Sequence, residues 1–163
     1  SVSALFAVIV NALASVTSSL VSNLIGARER KKVFPLCHRI IRLGYIIGIP
    51  LVALALLFRQ PIIRAYTENL IIVQTAQLPF TVMVLNYFFA LPGYVYMNAV
   101  TGAGATRTVF LFQVSTTIAY LFCLWELSCW TVPLAAYWSV EYLFVILLGM
   151  QSIIYLKHKF RIK

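Results

Sequence analysis

Glu141 has the clearest potential for chemistry, because its carboxylate lies inside an apolar stretch that reads PLAAYWSVEYLFVILLG. It is one of four acidic residues in 163. In a helix that starts at Pro133, Glu141 lies roughly 12 Å from the start, at about 1.5 Å per residue. Carboxylates so deep in a membrane usually mark an ion path or a wet cavity. We therefore predict that Glu141 binds a coupling cation or a proton; the alternative is a neutral acid that hydrogen-bonds a neighbouring helix.

The first apolar run carries polar side chains along one face. Asn11, Ser15, Ser18 and Ser22 are spaced by four, three and four residues, which places them on the same side of a helix. Asn11 and Ser15 are candidates to line a polar cavity. The alternative is close helix packing, which small residues permit.

Asn86 and Tyr87 are the corresponding candidates in the middle of the chain. The Pro92–Gly93 pair that follows them predicts a break in that helix. A broken helix leaves backbone polar groups that protein or water must satisfy, and such helices often line transport cavities. The alternatives are a structural hydrogen bond for Asn86 and a packing or interfacial role for Tyr87.

The elements that position these residues must cross a membrane. Hydrophobic residues make up 62% of the chain and charged residues only 10%, against a usual charged share of about 25%. Residues 1–27 and 69–106 contain no charged residue at all. Uncharged apolar runs of about 18 or more residues are typical of membrane spans. We predict an all-α, polytopic integral membrane bundle in contact with the lipid bilayer.

Five spans are expected, and a polar segment at 59–70 is predicted to form a short helix at the membrane surface. The segment reads RQPIIRAYTENL and is too polar to span. The predicted spans cover residues 2–25, 36–58, 79–99, 108–128 and 133–156.

The basic residues predict the orientation of these spans. Eleven of the thirteen Lys and Arg residues fall on one face, and only Arg59 and Arg64 fall on the other. The positive-inside rule makes the first face cytoplasmic, with the C-terminus inside a multi-pass plasma or inner membrane protein. Nucleic acid is not expected as a partner, because the basic residues sit at the ends of apolar runs and form no stripe interleaved with aromatics.

Two of the predicted cytoplasmic connections repeat one pattern. The pattern occurs in NLIGARERKKVF at 23–34 and in NAVTGAGATRTVF at 98–110. In both segments an Asn ends the span, and a Gly-Ala pair, a basic residue and Val-Phe follow in that order. Gly26 and Gly102 are predicted to form left-handed helix caps at the cytoplasmic surface. The linkers that follow contain Arg28 in the first case and Gly104 with Arg107 in the second.

These two segments resemble junctions of the multidrug and toxic compound extrusion (MATE) family. Residues 18–44, SSLVSNLIGARERKKVFPLCHRIIRLG, are similar to the region between that family's eighth and ninth helices. Residues 98–110 are similar to the junction between its tenth and eleventh helices. The resemblance implies that 1–163 is a partial C-terminal lobe, the last five of twelve helices, whose partner is the missing N-terminal half. An apolar start at Ser1 without a basic leader agrees with a C-terminal fragment.

The resemblance also implies the activity: export of small organic, often cationic compounds, coupled to sodium or proton flow and needing no cofactor. Many members carry a coupling carboxylate on the tenth helix, about twelve residues before the junction glycine. That position falls near Ala90, and no acid occurs between Asn69 and Trp125. A coupling site there is in doubt, and Glu141 is the remaining candidate.

Three other classes of protein agree less well with the sequence. An enzyme is not expected, since His38 and His158 lie beside basic residues and no acid pairs with either by spacing. A non-transporting structural subunit would need no buried acid such as Glu141. A lipid-linked oligosaccharide flippase of the same superfamily is the nearest alternative. Its phosphorylated substrate would favour basic residues in the cavity, and the spans have none beyond Arg39 and Arg42 near an interface.

Overall fold

The computed structural model describes residues 2–160, with side chains from residue 3, as a bundle of α-helices joined by short connections. Arg161 and Lys163, which belong to the predicted cationic tail, lie outside the described residues. A single 3-10 turn, Arg30–Lys32, is described between the first two helices. The helices are α1 (Val2–Gly26), α2 (Val33–Leu57), α3 (Arg59–Arg64), α4 (Leu70–Leu85), α5 (Tyr87–Gly102), α6 (Thr106–Ser128) and α7 (Leu134–Phe160).

Five helical segments within residues 2–160 are long and apolar enough to cross a membrane. They are α1, α2 with the 3-10 turn before it, α4 together with α5, α6 and α7. The predicted all-α membrane bundle is therefore confirmed. The six-residue helix α3 falls in the segment predicted to be too polar to span.

The third span differs from the prediction in both its start and its break. Its helix begins at Leu70, nine residues before Pro79, and the side chain of Asn69 caps it by accepting a 3.0 Å hydrogen bond from the Ile71 amide. The interruption lies at Asn86, and α5 runs without a break through Pro92. Together α4 and α5 cover 33 residues, more than the roughly 20 that a straight span needs.

Hydrogen bonds from another helix explain why Pro92 does not break α5. Proline has no amide hydrogen, so the carbonyl four residues earlier, that of Phe88, lacks its helical donor. The hydroxyl of Tyr45 on α2 donates a 2.8 Å hydrogen bond to that carbonyl. Beside the interruption at Asn86, the hydroxyl of Tyr142 on α7 donates to the Val82 carbonyl, which also keeps its helical hydrogen bond from the Asn86 amide at 3.1 Å.

Helix α5 lies at the centre of the bundle, where it packs against α1, α7 and α2. Leu91, Val95 and Val100 on this helix are fully buried. It also approaches α7 closely, because a Cβ added to Gly93 would lie 2.6 Å from the Val145 carbonyl oxygen. Small residues at such crossings let helix backbones approach one another, as in many membrane bundles.

The predicted left-handed caps at Gly26 and Gly102 are wrong. Both glycines are the last residues of their helices, and neither has a positive φ. The left-handed residues stand two positions later, at Arg28 with φ 61° and Gly104 with φ 78°. The sequence repeat is real, but in each copy the helix continues through its Gly-Ala pair before it turns.

Both turns form the same hydrogen-bond pattern. After α1, the Glu29 amide donates to the Leu24 carbonyl at 2.8 Å, and the Arg28 amide donates to the Ile25 carbonyl at 3.0 Å. After α5, the amides of residues 105 and 104 donate to the carbonyls of residues 100 and 101, at 3.3 and 2.9 Å. Crossed bonds of this kind around a left-handed residue define the Schellman motif. The two connections are therefore equivalent in structure as well as in sequence.

Candidate functional site

A cavity of about 200 Å³ lies between α1, α4, α5 and α7. Its walls are mostly apolar and aromatic, and a few polar side chains face into it. Cavities of this composition are the usual form of small-ligand sites. The lining residues are Ser3, Phe6, Ala7, Val10 and Asn11 of α1, Met83 of α4, Asn86 at the break, Tyr87, Ala90 and Tyr94 of α5, and Trp138, Glu141 and Val145 of α7.

Glu141 enters the cavity from α7. Trp138, Glu141 and Val145 share one face of this helix at spacings of three and four residues, so the chain presents all three to the same space. The side chain is half-buried and has neither a hydrogen bond nor an ion pair with any residue from 3 to 160. An acid placed this way has free oxygen atoms for a ligand.

Asn86 contributes a second free oxygen at the break between α4 and α5. Its Oδ1 atom is buried and has no hydrogen-bond partner among the residues the structure describes. Buried polar atoms nearly always have a partner, and an exception calls for a water, an ion or a functional explanation. The break therefore places an unpaired acceptor on the wall that also includes Glu141.

Tyr87 forms part of the wall, and its hydroxyl is already engaged. The residue is 2% exposed, and its hydroxyl donates a 2.6 Å hydrogen bond to the Gly44 carbonyl on α2. Its ring packs against Phe6 with the ring centroids 5.7 Å apart. Tyr87 thus shapes the cavity with its ring and joins α5 to α2 with its hydroxyl.

The structure separates the two candidates on α1. Asn11 lines the cavity from an exposed position. Ser15, one turn further along, is exposed and is not among the lining residues. The buried face of α1 runs through Val10, Ala14 and Thr17, so Ser15 points away from α5. The polar face expected from spacing therefore only partly coincides with the cavity.

Two aromatic residues of the site, Phe6 and Trp138, were not predicted from the sequence. Trp138 precedes Glu141 by one helical turn, and that spacing could have indicated it. Phe6 carries no comparable signal. Ala90 also lines the cavity, near the position where the family resemblance places an acid.

The residues predicted for the cytoplasmic caps and linkers are not among those that line the cavity. Gly26 and Arg28 lie where α1 leads to α2, and Gly102, Gly104 and Arg107 lie where α5 leads to α6. The Ser22 hydroxyl donates a 2.9 Å hydrogen bond to the Gly102 carbonyl, and a Cβ at Gly102 would overlap the Ser18 carbonyl. The Lys159 ammonium donates to the Ala103 carbonyl at 2.9 Å. Gly26, Gly104 and Arg107 are exposed. The junction between α5 and α6 is thus joined to α1 on one side and to α7 on the other.

Comparison with protein families identifies the fold. The MatE family model matches residues 1–125. The chain belongs to the MatE family. No match was found among curated proteins, and none among solved structures. Within this MatE chain, the matched range includes the α1, α4 and α5 walls of the cavity, whereas Trp138, Glu141 and Val145 lie beyond it. The assignment to the family therefore does not depend on Glu141. The family consists of transporters and is normally not enzymatic.

Proposed function

We propose that this chain is part of a secondary active antiporter that exports small organic, often cationic compounds and couples export at Glu141 to an inward flow of sodium ions or protons. One observation carries the proposal: Glu141 and Ala90 line the same cavity. The family resemblance places a coupling acid near Ala90, and no acid occurs between Asn69 and Trp125. A carboxylate from α7 reaches the same space, and it would supply the missing charge.

The chemistry of the cavity favours a cation. Glu141 is its one ionisable carboxylate among the described residues, and the free Asn86 oxygen offers a neutral acceptor. Interrupted helices in transporters commonly supply such acceptors to sodium ions or protons near the middle of the membrane. Binding of a cation or a proton would neutralise the carboxylate and so change the stability of the closed bundle.

A phosphorylated lipid is a poorer substrate for this cavity. No lysine or arginine is found among the residues that line it. Phosphate groups are usually held by charge-assisted hydrogen bonds from such residues. The aromatic side chains of Phe6, Tyr94 and Trp138 are better suited to a small organic compound. The exporter is therefore preferred to the oligosaccharide flippase.

The proposed setting is a cell membrane, with the chain as the last five of twelve helices and its C-terminus in the cytoplasm. The uneven distribution of basic residues supports this orientation, and the two equivalent junctions that carry Arg28 and Arg107 fall on the face proposed to be cytoplasmic. The rest of the transport pathway would come from the N-terminal half.

The test uses the complete protein in proteoliposomes with imposed sodium and proton gradients. Glu141→Gln keeps the shape and hydrogen-bonding capacity of the side chain but removes its ionisation. We expect gradient-driven export of a cationic dye to fall at least about tenfold, and its dependence on the coupling ion to disappear. Glu126→Gln, at an exposed position on α6, is the matched control and should transport normally.

Two results would contradict different parts of the proposal. If Glu141→Gln inserts normally and retains an unchanged ion and pH dependence, coupling occurs elsewhere. If the unmodified protein moves no member of a broad panel of organic cations, the exporter is wrong. Faster turnover of a lipid-linked sugar in expressing cells would then indicate the flippase.

A further inference from the structure

A groove of about 490 Å³ runs along one face of α2 and shares no lining residue with the cavity that contains Glu141. The end of the groove nearer the start of α2 is lined by His38, Arg39 and Arg42. The rest is lined by mostly apolar residues that include Ile46 and Ile49. Helical spacing places the charged and the apolar residues on the same side of α2. The groove is therefore cationic at one end and apolar along the rest of its length.

The two guanidinium groups have no acidic partner among the residues that the structure describes. The chain has four acids, and Glu29, the one nearest in sequence, forms a 2.6 Å ion pair with Lys32. Arg39 and Arg42 are exposed and make no ion pair with any described residue. The negative charge that would balance them must come from outside these residues.

The position of the arginines along α2 matches the edge of a bilayer. Arg39 and Arg42 lie about 9 and 14 Å from the start of the helix at Val33, at about 1.5 Å per residue. Long basic side chains at this depth extend toward the interface while their methylene stems cover apolar surface. Arginine is also suited to phosphate, because its planar guanidinium can donate two parallel hydrogen bonds.

The apolar half of the groove distinguishes an amphiphile from a free phosphate. Ile46 is 66% exposed and Ile49 is 53% exposed. They continue the groove for about 10 to 15 Å beyond Arg39, at the depth of acyl chains. A soluble phosphate would use only the arginines and leave this surface empty.

We propose that this groove binds an anionic phospholipid, with its phosphate on Arg39 and Arg42 and one acyl chain against Ile46 and Ile49. Two unpaired positive charges favour a headgroup with net negative charge over a zwitterionic one. The proposal is independent of what the protein transports, because none of these residues lines the Glu141 cavity.

The test is native mass spectrometry of the complete protein in micelles containing equal amounts of phosphatidylglycerol and phosphatidylcholine. The unmodified protein should retain phosphatidylglycerol in preference. Each basic residue near an anionic lipid surface contributes roughly a fivefold preference, so Arg39→Gln with Arg42→Gln should reduce that retention about 25-fold. Arg28→Gln with Lys31→Gln removes the same charge from the exposed linker and should leave most of the preference intact.

Several outcomes would overturn the proposal. Equal losses in the two double variants would show that net charge, and not the groove, attracts the lipid. Displacement by soluble glycerol phosphate at similar concentration would show that the apolar half is unused. A fluorophore on Ile49→Cys provides a further check, since quenching by spin-labelled phosphatidylglycerol is expected. An absence of quenching in bilayers would show that another helix covers the groove.

Discussion

The Tyr45 hydroxyl lies 2.8 Å from the Phe88 carbonyl oxygen, which is the acceptor that Pro92 leaves without a helical donor. Tyr87 on α5 makes the reverse connection, because its hydroxyl donates a 2.6 Å hydrogen bond to the Gly44 carbonyl on α2. Each hydroxyl thus reaches the backbone next to the other tyrosine. These paired hydrogen bonds join α2 to α5 directly after the break at Asn86, next to the cavity wall.

Tyr45→Phe should destabilise the protein by about 1 to 3 kcal/mol, because it leaves the Phe88 carbonyl unpaired in a partly buried region. Unfolding in detergent, followed by temperature or denaturant, would measure the change. Tyr66→Phe is the control, since Tyr66 is 71% exposed and should show almost no effect. In a Pro92→Ala background, the restored amide supplies the missing donor, and the cost of Tyr45→Phe should become smaller. An equal cost in both backgrounds would contradict this explanation.

The hydrogen bond from Tyr45 to Phe88 shows what the sequence could and could not predict about the fold. Apolar runs and charge gaps are local signals, and they predicted an all-α bundle with five membrane-length segments. The break was expected at Pro92 and occurs at Asn86. That difference depends on a hydroxyl more than 40 residues away in the chain, which no local pattern contains. The start at Leu70 differs from the prediction because the span was expected to follow Pro79, and that proline lies inside α4.

Gly102→Ala should destabilise the protein by roughly 2 kcal/mol or more, whereas Gly26→Ala should be neutral or slightly stabilising. A Cβ at Gly102 would overlap the Ser18 backbone, which cannot move aside as a side chain can. No atom lies within 4 Å of a Cβ at Gly26, and alanine favours the helix by about 0.5 to 1 kcal/mol. Thermal unfolding of the two variants would compare these equivalent positions. Equal effects of the two substitutions would show that the close contact between Gly102 and α1 does not contribute to stability.

Gly104→Ala should cost about 1 kcal/mol from backbone conformation alone, since φ is 78° and the added Cβ meets no atom within 4 Å. Arg28→Gly should act in the opposite sense, because Arg28 already holds a left-handed conformation that glycine adopts freely. We expect a gain of up to about 1 kcal/mol, measured by the same unfolding experiment. Arg28→Ala is the control for the lost charge and should show no gain. A loss of stability in Arg28→Gly would show that the side chain is needed.

The 26–35 linker should be inaccessible from outside intact cells, as the distribution of basic residues predicts. Glu29→Cys should react with a membrane-impermeant maleimide only after the cells are permeabilised. Glu68→Cys, in the connection between α3 and α4, should react in intact cells and serves as the control. Because Cys129 is exposed and free, it would first be replaced by serine. The reversed labelling pattern would invert the proposed orientation.

The candidate site could be predicted in part. Asn11, Asn86, Tyr87 and Glu141 all line one cavity, and a sequence can indicate such residues because polar groups in apolar helices are rare. The exclusion of Ser15 and the inclusion of Phe6 depend on how α1 is rotated against α5. Spacing places residues on a common face, but it does not say which face meets a neighbouring helix.

Ala90→Asp should restore coupled export to Glu141→Gln, at least in part. Both positions line the same cavity, so a carboxylate from α5 would carry its charge into the space that α7 normally supplies. A new acid at this depth is costly unless it replaces one that has been removed, so Ala90→Asp alone should express less well than the double variant. Ala90→Asn in the Glu141→Gln background is the control, because it adds similar bulk without charge and should restore nothing.

The measurement is dye export driven by an imposed sodium or proton gradient in proteoliposomes with matched protein content. Rescue by Asp but not by Asn would show that export requires a carboxylate in the cavity, and that either α5 or α7 can supply it. If neither variant restores export while both insert normally, the shared cavity does not explain the role of Glu141.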